Sequence, residues 1–131
     1  MSAKGANLDL IFDTHALVWY GAGSTKFSPR VRHEVQMPEC RIFVSAVTAW
    51  QYSDLLTRGR LAGASALDIL QFGLDFEILD VPAKIWCRAS ALPNLHRDPV
   101  DRMLIAHALE AGLTIATADR TIHRYPVRTF W

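Results

Sequence analysis

Apolar runs and helical stripes alternate along this chain. Leu8-Asp9-Leu10-Ile11-Phe12 is a short apolar run that stops at Asp13, and it predicts a buried strand. Thr14 to Gly21 predicts a helix, closed by Gly21 and Gly23. Ser28-Pro29 opens a second helix, since proline suits the first helical position, and that helix ends before Pro38. Arg41-Ile42-Phe43-Val44 predicts the next strand, followed by Ser45 as N-cap of a helix reaching about Thr57. Ser65 to Phe72 is a further helix and Phe76-Glu77-Ile78-Leu79 a third strand. From Pro82 to Leu92, Ile85, Trp86, Ala89 and Leu92 recur at spacings that share one helix face. The loop from Pro93 to Arg97 leads to Asp98-Pro99 and a long helix ending at Ala111, with Gly112 behind it. Leu113-Thr114-Ile115-Ala116 is a fourth strand, Asp119 to Tyr125 a short helical turn, and Val127-Arg128-Thr129-Phe130 a fifth strand.

Strands alternating with helices predict an α/β fold with a mainly parallel sheet. The 131 residues amount to one domain, 1–131, with 1–7 as a flexible N-terminus. No internal repeat, linker or low-complexity segment interrupts it. Half of the residues are hydrophobic, which argues against disorder. The formal net charge is +1, so contacts to an acidic polymer would have to come from basic residues gathered locally. Those residues are eleven Arg and three Lys, and the planar guanidinium suits phosphate, but a solvated surface that happens to prefer Arg is the favoured reading of the count alone. Cys40 and Cys87 have no metal-spaced partner, which predicts free, half-buried thiols in a reducing compartment. The first residues carry no apolar leader core, and no apolar run is long enough to cross a bilayer. A cytoplasmic protein without membrane contact is expected.

Three aspartates stand in related places. Asp13 ends the first strand, Asp119 follows the fourth, and Asp101 lies in the first turn of the helix that feeds the fourth. In open α/β sheets ligands bind beyond the carboxyl ends of the strands. Carboxylates gathered there repel one another, and a hard divalent cation removes that cost. A purely structural explanation also stands. Aspartate is a favoured N-cap, Asp98-Pro99 opens a helix well and leaves Asp101 at its third position, and Asp13 and Asp119 could be caps too.

The residues around the acids add to this. Phe12-Asp13-Thr14-His15-Ala16-Leu17-Val18-Trp19 resembles the opening motif of PIN-domain proteins of the VapC toxin-like group. Val44-Ser45-Ala46-Val47-Thr48-Ala49-Trp50 resembles that family's second motif, His96 through Ala108 its third, and Thr117-Ala118-Asp119-Arg120 its fourth. The motifs come in the family's order and span nearly the whole chain. The resemblance implies a single PIN-like domain with strand order 3-2-1-4-5 and helices on both faces. It implies an endoribonuclease dependent on Mg²⁺ or Mn²⁺, a homodimer, and a small VapB-like antitoxin whose tail fills the active-site groove. Carried over by position, the metal and catalytic acids are Asp13, Asp101 and Asp119. Asp98 is an accessory acid, and Thr117 and Ser45 are supporting residues.

One position departs from the pattern. The family's glutamate after the second-motif tryptophan is Gln51 here, and its later lysine is Leu55. Gln keeps the shape and one acceptor but loses the charge. Asp54, three residues further along the same helix, could supply charge, though an ordinary surface role is the favoured reading. Arg97, Arg102, Arg120 and Arg124 are candidates for RNA phosphate contacts, with pairing to a nearby carboxylate as an alternative for Arg102. His96 is expected to make a loop-stabilising hydrogen bond, with phosphate contact as the alternative. His15 and His107 are expected in packing roles. Trp19, Trp50, Trp86 and Trp131 are too spread out for a base-stacking platform and are assigned to the core or a dimer face.

The expected chemistry is metal-assisted hydrolysis of RNA phosphodiester bonds. The alternative is a catalytically weakened PIN-like module that binds RNA or protein because Gln51 has replaced the glutamate. An aspartyl-phosphate phosphatase would want a second Asp where His15 stands. A receiver domain would want paired acids and a late lysine that this chain lacks.

Overall fold

A computed structural model describes residues 8–131. The expectation for residues 1–7 lies outside them. In chain order the elements are β1 (Asp9–Phe12), α1 (Thr14–Ala22), α2 (Pro29–Val35), β2 (Arg41–Ser45), α3 (Ala46–Thr57), α4 (Leu67–Leu74), β3 (Glu77–Leu79), α5 (Ala83–Ala91), α6 (Pro99–Ala111), β4 (Thr114–Ala116), a 3₁₀ turn (Ile122–Arg124) and β5 (Thr129–Phe130). The five strands form one sheet in the order β3-β2-β1-β4-β5, and every pairing is parallel. A parallel sheet has helices on both faces, so its central strands read as unbroken apolar runs.

The alternation of side chains along each strand sorts the core into two layers. Leu10 and Phe12 of β1, with Ile42 and Val44 of β2, face a cluster containing Leu17 of α1, Val31 of α2, Tyr52 of α3 and Leu70 of α4. Ile11 and Phe43, between them in sequence, face the opposite layer with Leu104, Ile105 and Ala108 of α6 and Ile122. All of these side chains are buried.

The helix ends follow their residues. Ser28 caps α2 through a hydrogen bond from the Val31 amide at 3.3 Å, with Pro29 next. Asp98 caps α6 by accepting from the Val100 amide at 2.9 Å. Gly112 closes α6 in the left-handed region, φ 70°, where a Cβ would be strained.

Two sequence expectations about side chains change. Ile85 and Ala89 of α5 are buried, but Trp86 is 54% exposed, so the apolar stripe of α5 is wider than the layer beneath it. Cys40 is half-buried as expected, whereas Cys87 is exposed because it sits on the outer side of α5.

Candidate active site

The order in which strands are laid down reverses across the sheet between β1 and β4. The connections from β1 run outward through β2 and β3, while β4 and β5 lie on the other side. A crevice opens at the carboxyl ends of such a pair. Asp13 follows β1 and Thr117 follows β4, so both sit at its mouth.

Asp13 is buried and caps α1, with one carboxylate oxygen accepting from the Ala16 amide at 2.8 Å. Its other oxygen accepts the Thr117 hydroxyl. Thr117 Oγ1 in turn accepts from the Asp119 amide at 3.0 Å, which ties the ends of the two strands together. Burial pushes the Asp13 carboxyl up from its ordinary value, and the hydrogen bonds from Thr117 and Ala16 oppose that rise. Asp119 accepts the Thr121 amide at 2.8 Å through Oδ1, which holds the start of the 3₁₀ turn. Burial acts to raise Asp119, but the bonds from His96 and from the Thr121 and Ile122 amides outweigh it and lower its value.

Asp101 projects from the third position of α6 into the same space. Burial is the main force that lifts its carboxyl, to about 7. Asp98, Asp13 and Asp119 add to the rise and His96 works against it. Three carboxylates, with Asp98 beside them, therefore face one another across the end of β1 and β4.

His96 lies between two of the acids. Its Nε2 is 3.0 Å from Asp101 Oδ2 and 2.9 Å from Asp119 Oδ2. Its Nδ1 accepts from the Asp98 amide at 3.1 Å. An accepting Nδ1 puts the ring proton on Nε2, where both carboxylates share it. The expected loop-stabilising bond is present, and the same ring also bridges the acids. Tyr125 fixes the loop that carries it: the hydroxyl accepts from the Leu95 and His96 amides at 3.1 and 2.8 Å and donates to the Pro93 carbonyl at 2.8 Å.

Gln51 of α3 reaches the edge of this region, where its Oε1 accepts the Thr14 hydroxyl. Asp54 pairs with Arg58 at 3.0 Å on the surface, which agrees with the favoured reading of that residue. Ser45 caps α3 and lies 2.9 Å from Nδ1 of buried His107, so both are packing and capping residues.

Other expectations need correction. Arg102 does not reach out for phosphate: its guanidinium donates to the carbonyls of Pro93, Ala89 and Leu92 at 2.9, 2.9 and 3.2 Å. Those carbonyls end α5 and its loop, and a fork of N–H donors satisfies them together. Arg97, Arg120 and Arg124 are exposed. His15 is exposed too, not packed, and it lines an open cleft of about 250 Å³ with Asp13, Trp19, Ala118 and Asp119. Sequence reasoning missed the bridging of Asp101 and Asp119 by His96 and the part of Tyr125. The one local signal was a histidine two residues before an N-cap aspartate.

The donors suit a hard divalent cation. His96, Asp101 and Asp119 each offer an atom within 4.8 Å of the others, but the His96 nitrogen carries the proton, which leaves carboxylate oxygens as the ligands. Burial and, after it, the repulsion of Asp98, Asp13 and Asp119 both oppose a charge on Asp101, and a bound cation offsets both costs.

The profile of the PIN domain family matches residues 10–127. The chain belongs to the PIN domain family. Among relatives of this PIN domain, Ribonuclease VapC22 of Mycobacterium tuberculosis (strain ATCC 25618 / H37Rv) is 24% identical over 124 residues, covering 89% of this chain and 93% of that protein. Solved structures share the fold. VapBC2 from Rickettsia felis, bound to a DNA fragment from its promoter, aligns with a TM-score of 0.70 at 16% identity over 94% of this chain and 98% of that one. DNA-bound VapBC from Salmonella typhimurium gives 0.68 at 20% identity, over 94% and 97%. VapC20 of Mycobacterium tuberculosis, described as a sarcin-ricin loop cleaving toxin, gives 0.63 at 15% identity, over 89% and 96%.

Proposed function

We propose that this PIN domain is a Mg²⁺- or Mn²⁺-dependent endoribonuclease of the VapC-like toxin type, working in the cytoplasm as a single domain. The observation that carries the reading is the half-buried Asp101, lifted to about 7 among Asp13, Asp98 and Asp119 where the strand order turns back at β1 and β4. The relative named a ribonuclease and the neighbour described as cleaving the sarcin-ricin loop support it.

In this reading Asp13, Asp101 and Asp119 hold the cation, with Asp98 as an accessory acid. Such an ion supplies Lewis-acid stabilisation of the charge that builds on the phosphate during hydrolysis. Thr117 fixes the rotamer of Asp13 through its hydroxyl. His96 keeps Asp101 and Asp119 facing each other by sharing one N–H between them. Exposed Arg97 and Arg120 are free to meet the RNA backbone, Arg124 with them, while Arg102 keeps the loop in place. Incubation with a circular RNA, which offers no ends, tests the activity. Internal cuts with Mn²⁺ and none with a chelator are expected. Cutting that persists in the chelator contradicts a metal site.

A second reading, a weakened module that binds RNA or protein without efficient cutting, rests on Gln51. Its carboxamide is neutral and its oxygen accepts from Thr14, so the position adds no charge to the acids. Tight RNA binding with no cuts in Mn²⁺ would favour this reading.

We also propose a homodimer neutralised by a small VapB-like antitoxin. Trp50 and Trp86, 60% and 54% exposed, border an apolar cleft of about 530 Å³ with Val47, Val81, Val100 and Met103. Bulky apolar side chains around such a cleft mark an association face. Among the described residues no helix is long and apolar enough to cross a membrane. Sedimentation at micromolar concentration is expected to show a dimer, and Trp86→Glu a monomer. A monomeric parent, or a dimeric variant, would place the contact elsewhere or abolish it.

A further inference from the structure

The acidic pocket has an aromatic side that phosphodiester hydrolysis leaves unused. His15 and Trp19 are one turn apart on α1, with ring centroids 5.6 Å apart and planes inclined by 37°. Both line the cleft that holds Asp13 and Asp119. His15 is exposed and Trp19 half-buried. Trp19 is braced from behind by Trp131 at 5.9 Å, which packs edge-on against buried Phe27 at 5.6 Å. The Trp131 carbonyl is held by Arg30 at 3.0 Å. One open cleft is therefore lined both by carboxylates and by two flat rings, one of them backed by further aromatic side chains.

We infer that His15 and Trp19 form a base-stacking subsite for the single-stranded nucleotide beside the scissile phosphate. The inference rests on the ribonuclease reading above. A nucleotide is the ligand whose two ends match: its phosphate belongs with the cation-binding acids and its base with the rings. An unpaired base offers a free π-face, whereas a base inside a duplex is stacked on its neighbours, so the subsite selects single strands. Stacking on the ring faces of His15 and Trp19 reads no hydrogen-bond edge. Preference among the bases therefore follows ring size, with purines ahead of pyrimidines.

The test uses the full chain and a short fluorescein-labelled oligoadenosine, methylated at its 2′-hydroxyls so that it cannot be cut, in Mn²⁺. Single abasic residues are placed at each position in turn, and binding is followed by anisotropy. One abasic position is expected to weaken binding to the parent about tenfold. The same abasic position is expected to have almost no further effect in His15→Ala or Trp19→Ala, because the stacked partner is already gone. Trp19→Phe keeps a ring against Trp131 and is expected to restore most of the difference, which separates stacking from a folding defect. If every abasic oligonucleotide binds the parent as the intact one does, the subsite is overturned while the ribonuclease reading stands. If abasic and side-chain losses simply add, the base stacks elsewhere and the subsite is again overturned. If no oligonucleotide binds and no RNA is cut, both readings fall together.

Discussion

Asp101→Asn is expected to abolish RNA cleavage and, at the same time, to stabilise the metal-free protein at pH 8. Removing a group that supports a metal ligand already costs about 10–100-fold, so losing a ligand itself should exceed ~100-fold in cleavage. The effect on stability comes from the same carboxylate. Its value in the folded chain, about 7, lies above the ordinary 3.8. The native state therefore keeps the proton over a range in which the unfolded chain has lost it, and stability falls as pH rises from about 4 to about 7. Above that range the loss is complete. Asn keeps the shape and can still accept from His96, and it removes the charge that burial and the neighbouring acids oppose. A gain on the order of 1–4 kcal/mol follows at pH 8, fading towards pH 4 where Asp101 is protonated. Thermal unfolding in a chelator measures it, with a rise of roughly 4–10 °C expected at pH 8. Added Mn²⁺ should reverse the ranking, since only the parent gains from binding. A variant less stable than the parent in chelator at pH 8 would show that Asp101 is not held among repelling acids.

Gln51→Glu is the second large effect. The Gln51 oxygen accepts from Thr14, the residue next to Asp13. Glutamate can keep that bond with one oxygen and present the other in place of the amide, adding a full charge next to the acids. Charge count is a main lever on hard-cation affinity, and Coulomb attraction is several-fold stronger in a partly desolvated pocket than in water. The expected gain is about 1–3 kcal/mol in Mn²⁺ or Mg²⁺ binding, with faster cleavage of a generic RNA. Without metal the extra charge repels Asp13 and Asp101, so the variant should be less stable than the parent and recover on loading. Calorimetric titration and cleavage rates compare the two proteins. Equal affinity and equal rate would show that Gln51 does not face the metal. Asp54→Asn serves as the companion: its partner is Arg58, so no loss of cleavage is expected. Complete loss would mean that Asp54 supplies the missing charge.

What could be read in advance follows from how local each signal is. The runs ending at Asp13 and Ala116 are local, so the strands and the acids behind them were legible from apolar pattern alone. The strand order was legible only through the motif resemblance, because nothing in the spacing says which strand lies beside which. Asp13 and Asp98 prove to be caps as well as pocket residues, so the structural explanation of these acids and the functional one are not rivals. The position of His96 between Asp101 and Asp119 was hidden because it depends on Tyr125, which reaches the loop from 29 residues further along the chain. Arg102 was misread for a similar reason: the carbonyls it serves end another helix, and adjacency to Asp101 in sequence does not place its guanidinium. Trp86 carried a helical period that announced a buried face, yet among the described residues it stays exposed.

The central claim is that the acids at the carboxyl edge of β1 and β4 form one cation site that cuts RNA. The most direct measurement is a Mn²⁺ titration of the parent and of Asp101→Asn, with calorimetric binding and RNA cleavage followed under identical conditions at pH 8. The account predicts that parent cleavage rises with the same half-saturation as calorimetric binding, and that Asp101→Asn loses both. Cleavage that saturates without measurable Mn²⁺ binding, or an Asp101→Asn variant that binds and cuts like the parent, would contradict it.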